Sequence, residues 1–321
     1  MNKFNPRAYC RLGQSGSVFG LELMEQVENY NFKVLSSDMS VVAGLDRFKK
    51  EYPEKFFNVG IAEQNLLGVA AGLDSEGYKT VAVAQACFIS MRSFEQVRQY
   101  LGYMGGKVIC VGINSGFSLT FFGNTHYAIE DLALMRSIPN MTVISPADAG
   151  EAVKAFDAAL KVDGPVYLRL SGSLMTPIVY KEDYDYAIGK SITVREGNDI
   201  AIFATGLMVN NAIKAAEILE EKGISSSVID VHTIKPFDKE IVQCNRDKRL
   251  LVSVEEHSVI GGLGTCIADE LSEYQNSPAL LKLGVNDTFM PVGDYAYLIE
   301  QAGLTPEQIA SRICAKLESL R

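Results

Sequence analysis

Short apolar runs rich in β-branched residues alternate with longer stretches of helical periodicity along the first half of the chain. The short runs predict strands over residues 32–36, 80–84, 107–111, 142–145 and 166–170. The stretches between them predict helices over residues 18–29, 62–76, 93–104, 129–138 and 149–160, with Asp148 able to cap the last helix. Strands and helices that take turns in this way are typical of a mainly parallel sheet with helices on both faces.

The alternation stops between residues 172 and 198, where proline, glycine and a charged, tyrosine-rich run indicate a linker. A second alternating block follows, with strands predicted over residues 200–205, 226–230 and 250–254 and helices over residues 209–222 and after Gly264. The pattern therefore predicts an α/β protein of two doubly wound domains, each with a mainly parallel sheet. We place the domains at residues 1–180 and 181–321.

Composition supports a folded protein with two cores. The chain has 321 residues, 47% hydrophobic and 21% charged, which exceeds the length that one core usually serves. The net charge of -9 argues against non-specific nucleic-acid binding, because that binding requires a basic face. We expect no nucleic-acid partner.

The cysteines and the N-terminal residues predict where in the cell the protein is located. Six cysteines are scattered without a CxxC pair, as expected for reduced residues that pack as small apolar groups. The first 17 residues lack an apolar stretch of signal-peptide length, and no run approaches the roughly 20 apolar residues of a membrane span. We expect a cytoplasmic protein that does not bind membranes.

A glutamate at the start of a predicted apolar helix is the first candidate for chemistry. Glu63 lies in the run GIAEQN, residues 60–65, among small residues that allow close approach. A carboxylate there can serve a reaction, or it can simply complement the positive end of the helix. The spacing alone leaves both interpretations open.

The second candidate is His126, which follows a glycine-containing loop and precedes a predicted helix. Doubly wound folds bind ligands at such loops, and a histidine there can act as an acid, a base or a hydrogen-bonding group. A buried structural histidine is the alternative.

Several segments taken together resemble the transketolase family. GIAEQN, the AAGL of the following helix, FISMRSFEQVR, GNTHYAIEDLALMRSIPNM and SPAD are similar to its pyrimidine-binding domain. IKPFD, VEEH and GGLG resemble its C-terminal domain, in the same order. The resemblance extends from about Arg7 to the end of the chain, and it is the ordered set rather than any single motif that is specific.

The resemblance implies an enzyme that transfers a two-carbon ketol unit from a ketose to an aldose with thiamine diphosphate. It assigns Glu63 as the catalytic carboxylate that hydrogen-bonds the aminopyrimidine ring and favours its imino tautomer. It places Phe88 against that ring and His126, the second catalytic residue, on the substrate hydroxyls. Asp38 matches a cofactor-site aspartate, and Arg92 either orients the cofactor pocket or forms a surface ion pair.

The family's metal-binding run, Gly-Asp-Gly followed by asparagine, has no match in this sequence. The resemblance therefore implies that this chain contributes no metal ligand. An N-terminal transketolase subunit would hold Mg²⁺ or Ca²⁺ and the diphosphate, and the chain would be the C-terminal subunit of a split transketolase. The expected assembly is a dimer of heterodimers, active only with both subunits.

Four positions depart from the commonest family pattern and concern the substrate pocket. Phe122, with the phenylalanine before it, replaces an acidic pair; Asn114 replaces a histidine, Gly172 an arginine that grips the sugar phosphate, and Val42 a serine. Losing an anion-binding arginine changes how an anionic sugar is held. We expect preserved chemistry on a branched, deoxy or sulfonated ketose, or on a phosphosugar gripped by the partner subunit.

Three other functions fit parts of the same pattern. The β subunit of a 2-oxo acid dehydrogenase has a similar length and domain order, and deoxyxylulose phosphate synthase is a relative that normally carries the diphosphate domain in the same chain. A scaffold or regulatory subunit would have no need of Glu63, His126 and Asp38. The glycine loop at residues 261–264 is a weak dinucleotide motif and is interpreted as a turn or subunit contact, and the sequence assigns no role to residues 14–16.

Overall fold

The computed structural model describes residues 4–172 and 174–320. Within them two sheets form, and both are parallel apart from one edge strand each. Helices alternate with the strands along both halves of the chain. The predicted α/β class with two mainly parallel sheets is confirmed.

The first sheet has seven strands in the order β10-β5-β6-β4-β3-β1-β2. Its strands are β1 Phe32–Ser36, β2 Phe56–Asn58, β3 Lys79–Gln85, β4 Val108–Ser115, β5 Thr142–Ile144, β6 Val166–Ser171 and β10 Thr233–Lys235. Strand β10 comes from the second half of the chain and runs antiparallel to β5. The central strands β3 and β4 are apolar almost throughout, because helices bury both faces of the sheet.

The helices around this sheet are α1 Pro6–Leu12, α2 Phe19–Gln26, α3 Asp46–Glu51, α4 Glu63–Ser75, α5 Phe94–Gln96, α6 Asp131–Ser137 and α7 Ala149–Leu160. The Asp148 carboxylate accepts from Glu151 N at 2.8 Å, so the predicted cap of α7 is present. The segment predicted as a helix over residues 93–104 is only briefly α-helical. It continues as a π-helix at Val97–Tyr103, and other π-helical turns occupy Gly13–Val18 and Phe88–Arg92.

The second sheet has five strands in the order β12-β11-β8-β9-β7. They are β7 Ile192–Arg195, β8 Ile200–Ala204, β9 Ser226–Asp230, β11 Leu250–Ser258 and β12 Ala279–Val285, with helices α8 Met208–Glu221, α9 Lys239–Gln243, α10 Leu263–Leu271, α11 Tyr295–Gln301 and α12 Pro306–Ser319. Strand β7 lies inside the predicted linker, where three consecutive β-branched residues, 192–194, stand between Gly189 and Gly197.

A buried arginine, paired with an aspartate of its own domain, also contacts the second half of the molecule. Arg169, on β6, donates through Nε to Asp131 Oδ2 at 2.8 Å, and both side chains are almost fully buried. Its Nη2 donates to the backbone oxygens of Ala128 and Glu256, each at 3.0 Å. Glu256 lies on β11 and accepts from Phe117 N at 2.6 Å, so the first domain's loops are fixed against the second sheet.

Among the residues that the structure describes, no helix is both long enough and apolar enough to cross a bilayer.

Candidate active site

The candidate residues follow the carboxyl ends of neighbouring parallel strands in the first sheet. Asp38 follows β1, Glu63 follows β2, Phe88 follows β3, and His126 lies on the loop after β4. Since parallel strands end on the same edge of a sheet, their loops form one ligand-binding edge in doubly wound folds. The fold thereby gathers positions that are far apart in the chain.

Glu63 is buried at the start of α4. The residue is 2% exposed, and its Oε2 accepts from Arg92 Nη1 at 2.8 Å. Ala62, not Glu63, occupies the N-cap position, and the turn before it contains Gly60 in a left-handed conformation with φ of +76°. Glu63 is therefore a paired, buried carboxylate rather than a solvated helix cap.

Arg92 connects the glutamate to an aromatic ring. Its Cζ lies 3.9 Å from the centre of the Phe88 ring, a cation–π contact, and Gln64 Nε2 donates to its backbone oxygen at 3.2 Å. The π-helical turn Phe88–Arg92 positions both side chains. Arg92 forms an ion pair, and its partner is the buried Glu63 rather than a residue on the helix surface.

His126 lies between two phenylalanine rings. Its ring centre is 5.1 Å from that of Phe88 in an edge-on arrangement and 4.9 Å from that of Phe122. Its Nδ1 lies 2.9 Å from Thr125 Oγ1. Glu63, Arg92, Phe88, His126 and Phe122 thus form one continuous chain of contacts.

The loop that carries His126 is fixed to the second domain. Asn124 Nδ2 donates to Met290 O at 2.7 Å, and Met290 N donates back to Asn124 Oδ1 at 3.0 Å. Gly123 adopts a left-handed φ of +74°, which permits the sharp bend before the histidine. These two hydrogen bonds fix the position of the histidine loop relative to the second domain.

Asp38 lies at the rim and is linked to the glutamate motif through Asn58. Asn58 Nδ2 donates to Asp38 Oδ1 at 2.8 Å, and Asn58 Oδ1 accepts from the backbone nitrogens of Asp38 at 3.1 Å and Gly60 at 3.0 Å. Asp38 is exposed, and among residues 4–172 and 174–320 its hydrogen bonds are to Asn58, with no hydrogen bond or ion pair to Glu63 or His126. Val42 is also exposed at this rim.

Asn114 is buried beneath the site instead of lining an open pocket. It is 4% exposed, and its Nδ2 donates to Gln85 Oε1 at 3.1 Å. Its backbone N donates to Ser15 Oγ at 3.0 Å. It therefore orders the ends of β3 and β4, which precede Phe88 and the histidine loop.

The backbone conformation at position 172 favours glycine. Its φ is +71°, and a Cβ built there would lie 2.7 Å from Thr176 Cγ2. Its N donates to Ser118 Oγ at 2.9 Å. An arginine at this position would be strained by the left-handed backbone and by the contact of its Cβ with Thr176.

Sequence reasoning missed a set of buried polar residues that support the site. Gln14 Oε1 accepts from Ser171 N at 2.9 Å, and Ser15 Oγ donates to Leu170 O at 3.0 Å, so residues 14 and 15 hold the end of β6. Gln85 is a polar residue at the end of an otherwise apolar strand, a signal that could have identified it. The sequence gives no comparable signal for Thr125.

The glycine loop at residues 261–264 encloses a carboxylate of its own chain. Glu255 accepts from Leu263 N at 2.7 Å and from Gly264 N at 2.8 Å. Burial raises the pKa of Glu255 to about 7, although these two amide contacts oppose the rise. A Cβ on Gly262 would lie 2.0 Å from Glu255 Oε2, so the loop has no space for a phosphate.

The residues that the structure describes contain no group of three or more histidine, cysteine, aspartate or glutamate side chains suited to holding a metal ion.

Comparison with known proteins identifies the family. The model of the transketolase pyrimidine-binding domain matches residues 20–177, and that of the transketolase C-terminal domain matches residues 189–309. The 6-deoxy-6-sulfo-D-fructose transketolase subunit SqwH of Clostridium sp. strain MSTE9 is 41% identical over 86% of this chain and 85% of that protein. An apulose-4-phosphate transketolase subunit of Phocaeicola vulgatus is 33% identical over 90% of this chain and 92% of that protein.

A solved structure described as a split gene transketolase, in an inactive β4 tetramer, matches with a TM-score of 0.85. It is 38% identical, and the match covers 95% of this chain and 98% of that chain. The chain therefore belongs to the transketolase family of thiamine-dependent transferases, and the predicted family and enzyme class are confirmed. Within the family it matches the C-terminal subunits of split transketolases over most of their length. A 1-deoxy-D-xylulose-5-phosphate synthase from Caldanaerobacter subterraneus is 32% identical, but the match covers 49% of it.

Proposed function

We propose that this chain supplies half of a two-chain transketolase active site, which moves a two-carbon ketol unit from a ketose to an aldose. The observation that carries the proposal is the buried carboxylate of Glu63, placed in one contact chain with Phe88 and His126 at the carboxyl edge of the sheet. A scaffold subunit would have no use for a nearly inaccessible carboxylate that is connected to a histidine through Arg92 and Phe88.

The residues at this edge fit the aminopyrimidine end of thiamine diphosphate. An aminopyrimidine needs a hydrogen-bonding carboxyl group beside apolar aromatic surface, and Glu63 and Phe88 provide both. Glu63 Oε2 is paired with Arg92, whereas Oε1 makes no hydrogen bond within the described ranges 4–172 and 174–320. When bound, the cofactor would supply the nucleophilic carbon and the electron sink that cleavage of the ketose C2–C3 bond requires.

Each residue then has a distinct task. Glu63 Oε1 shares a proton with the ring nitrogen, while Arg92 holds Oε2 and fixes the carboxyl plane. Phe88 excludes water from the ring, and His126 binds a substrate hydroxyl. Asp38, tied to Gly60 through Asn58, keeps the turn before Glu63 in place.

The diphosphate and its metal, Mg²⁺ or Ca²⁺, are proposed to be held by an N-terminal transketolase subunit. Exposed apolar side chains around Glu63 support such a partner, since large apolar patches usually mark an interface. Val41 is 74% exposed and Ile61 is 77% exposed, and both lie within a few residues of a site residue. A dimer of heterodimers is the assembly we propose, in the cytoplasm.

The sugar is proposed to differ from the usual pentose and hexose phosphates. Phe122 is 63% exposed beside His126 and offers apolar surface, and the turn at Gly172 would strain an anion-binding arginine. A branched, deoxy or sulfonated ketose, or a phosphosugar whose anion the partner grips, fits this lining. Relatives named for sulfofructose and apulose 4-phosphate are in keeping with it.

The first test uses the chain reconstituted with its N-terminal partner and thiamine diphosphate. We expect Glu63→Gln to lower kcat by about 100-fold or more, the usual scale of acid–base contributions. Glu95→Gln, an exposed helix glutamate paired with Arg98, is the matched control and should keep wild-type turnover. A Glu63→Gln complex with wild-type kcat would favour the scaffold function.

The second test compares donors on the wild-type complex. We expect sulfonated or branched ketoses to have a higher kcat/KM than fructose 6-phosphate and xylulose 5-phosphate. Ordinary transketolase rates on xylulose 5-phosphate would remove the substrate proposal and leave the chemistry standing. Turnover of a 2-oxo acid with a lipoyl acceptor, but of no ketose, would replace it with the dehydrogenase function.

A further inference from the structure

The hydroxyl of Thr125 contacts two acceptor-capable groups at once. Its Oγ1 lies 2.9 Å from His126 Nδ1 and 3.3 Å from the backbone oxygen of Phe122. Both contacts occur within the helical turn Thr120–Thr125 and its cap, His126. The neighbouring Asn124 holds this turn against Met290, so the two contacts belong to a loop that is fixed at its apex.

A threonine hydroxyl has one proton to donate and lone pairs that accept. The carbonyl of Phe122 can only accept, so that contact requires the Thr125 proton. The lone pair of Oγ1 then accepts from His126, which requires a proton on Nδ1. Any other arrangement would place two acceptors against each other at one of the contacts.

A proton on Nδ1 leaves Nε2 of the neutral ring as an acceptor. The rings of Phe88 and Phe122 both contact the imidazole, with ring centres 5.1 and 4.9 Å away. No hydrogen bond to Nε2 forms within the parts of the chain that the structure describes. The ring is therefore oriented, and its one free polar atom accepts rather than donates.

We propose that Thr125 is a positioning residue that fixes His126 as the Nδ1–H tautomer, so that Nε2 accepts a hydrogen bond from a hydroxyl of the ketose. This deepens the proposed function and rests on it for the identity of the ligand. An acceptor at this position selects a substrate O–H group and disfavours a keto, carboxylate or sulfonate oxygen there. An anionic end of the sugar must consequently lie elsewhere.

The tautomer is tested by NMR of the full chain labelled with 15N-histidine at pH 8. The chain has three histidines, and His126→Gln assigns the signals. Burial lowers the pKa of His232 and of His257 to about 4, so both stay neutral and act as internal references. We expect a protonated Nδ1 and an unprotonated Nε2 for His126, and the opposite pattern would overturn the proposal.

Variants then separate the hydroxyl from the rest of the loop. Thr125→Val, which keeps the shape, should shift the His126 signals towards the Nε2–H form, and Thr125→Ser should restore the wild-type spectrum. Thr120→Val, in the same turn, is the control, since no side-chain hydrogen bond of Thr120 forms among the described residues. Unchanged His126 signals in Thr125→Val would refute the role of Thr125.

Kinetics of the reconstituted complex supply the second readout. Thr125→Val should raise KM for the ketose about 10-fold with a smaller change in kcat, as expected when one substrate hydrogen bond is weakened, and Thr125→Ser should recover it. A donor analogue lacking the recognised hydroxyl should be affected little by Thr125→Val. The NMR result does not depend on turnover, so a failure of the transketolase function would leave the tautomer test decisive.

Discussion

Replacing Arg169 by methionine is expected to be the most damaging single change to the stability of this fold. Burial by itself lowers the pKa of Arg169, and Asp131 more than offsets this, so the net pKa is raised and the guanidinium stays charged. Its side chain is 2% exposed and that of Asp131 is 0% exposed. The variant keeps an unbranched, flexible stem but removes the guanidinium, so the carboxylate is left without its cation.

The expected loss of stability follows from the polar groups that stay buried after their partner is removed. Removing one partner of a buried ion pair costs about 3–5 kcal/mol, because the other charge is left uncompensated. Two backbone oxygens, on Ala128 and Glu256, also lose their donor. Tyr167 still donates to Asp131 at 2.7 Å, which limits the loss. We expect a total near 4 kcal/mol, a large part of the roughly 5–15 kcal/mol that stabilises a typical domain.

The assay is urea unfolding of the full chain followed by far-UV circular dichroism. Arg195→Met is the matched control: this strand arginine pairs with Glu220, which is largely exposed, and should cost less than about 1 kcal/mol. Adding Asp131→Asn to Arg169→Met should recover part of the loss, since no charge is then left buried. A loss below about 1 kcal/mol for Arg169→Met alone would refute the view that this buried arginine, with its contacts to Asp131 and to Glu256 O, stabilises the fold.

Three further predictions concern other parts of the molecule. Burial raises the pKa of Asp230, which is paired with Glu151, so the folded chain binds a proton that the unfolded chain releases. Wild type should therefore lose stability relative to Asp230→Asn as the pH rises above about 4, measured by urea unfolding. Gly20→Ala should lower stability by at least 1–3 kcal/mol in the same assay, because the new Cβ would lie 2.0 Å from Gly44 O. A thiol reagent at pH 8 should modify exposed Cys244 first and leave Cys110 unmodified, since burial raises the pKa of Cys110 to about 12.

Each of these has a control and a contrary outcome. Asp247→Asn, an exposed site, should show no pH-dependent difference from wild type, and a similar flat result for Asp230→Asn would contradict the first prediction. Gly72→Ala, at a helical glycine with open space around it, should be neutral or stabilising by about 0.5–1 kcal/mol. Labelling of Cys110 at the rate seen in urea would show that its strand is not protected.

The regular elements were predictable because their signals are local. The predicted bounds of β1 and α7 agree with the structure, and the Asp148 cap follows from its neighbours. The π-helical turns after β3 were not predictable, since the same residues have ordinary α-helical periodicity. Strand β10 was missed for a different reason: three residues form a strand there only because β5 offers an edge.

The site residues likewise divide into those that the sequence predicts and those whose roles depend on the three-dimensional structure. Glu63, Phe88 and His126 were predicted from the resemblance, and the structure brings them into one contact chain. The Arg92–Glu63 pair was not predicted, because an arginine just before a helix that carries Glu95 equally suits a surface ion pair. The roles of Asn114 and Gly172 depend on backbone conformation, with φ of +53° and +71°, and on partners far away in the chain.

Strand β10 has a consequence for dissecting the protein into pieces. Although the polypeptide crosses between the two folds near residues 172–198, Thr233 and Lys235 pair with β5 in the first sheet. A fragment ending at residue 180 would expose the bare backbone amides and carbonyls of β5, a ready template for self-association. A protease that nicks the connecting stretch should accordingly yield two fragments that still co-purify, whereas a recombinant first half made alone should precipitate.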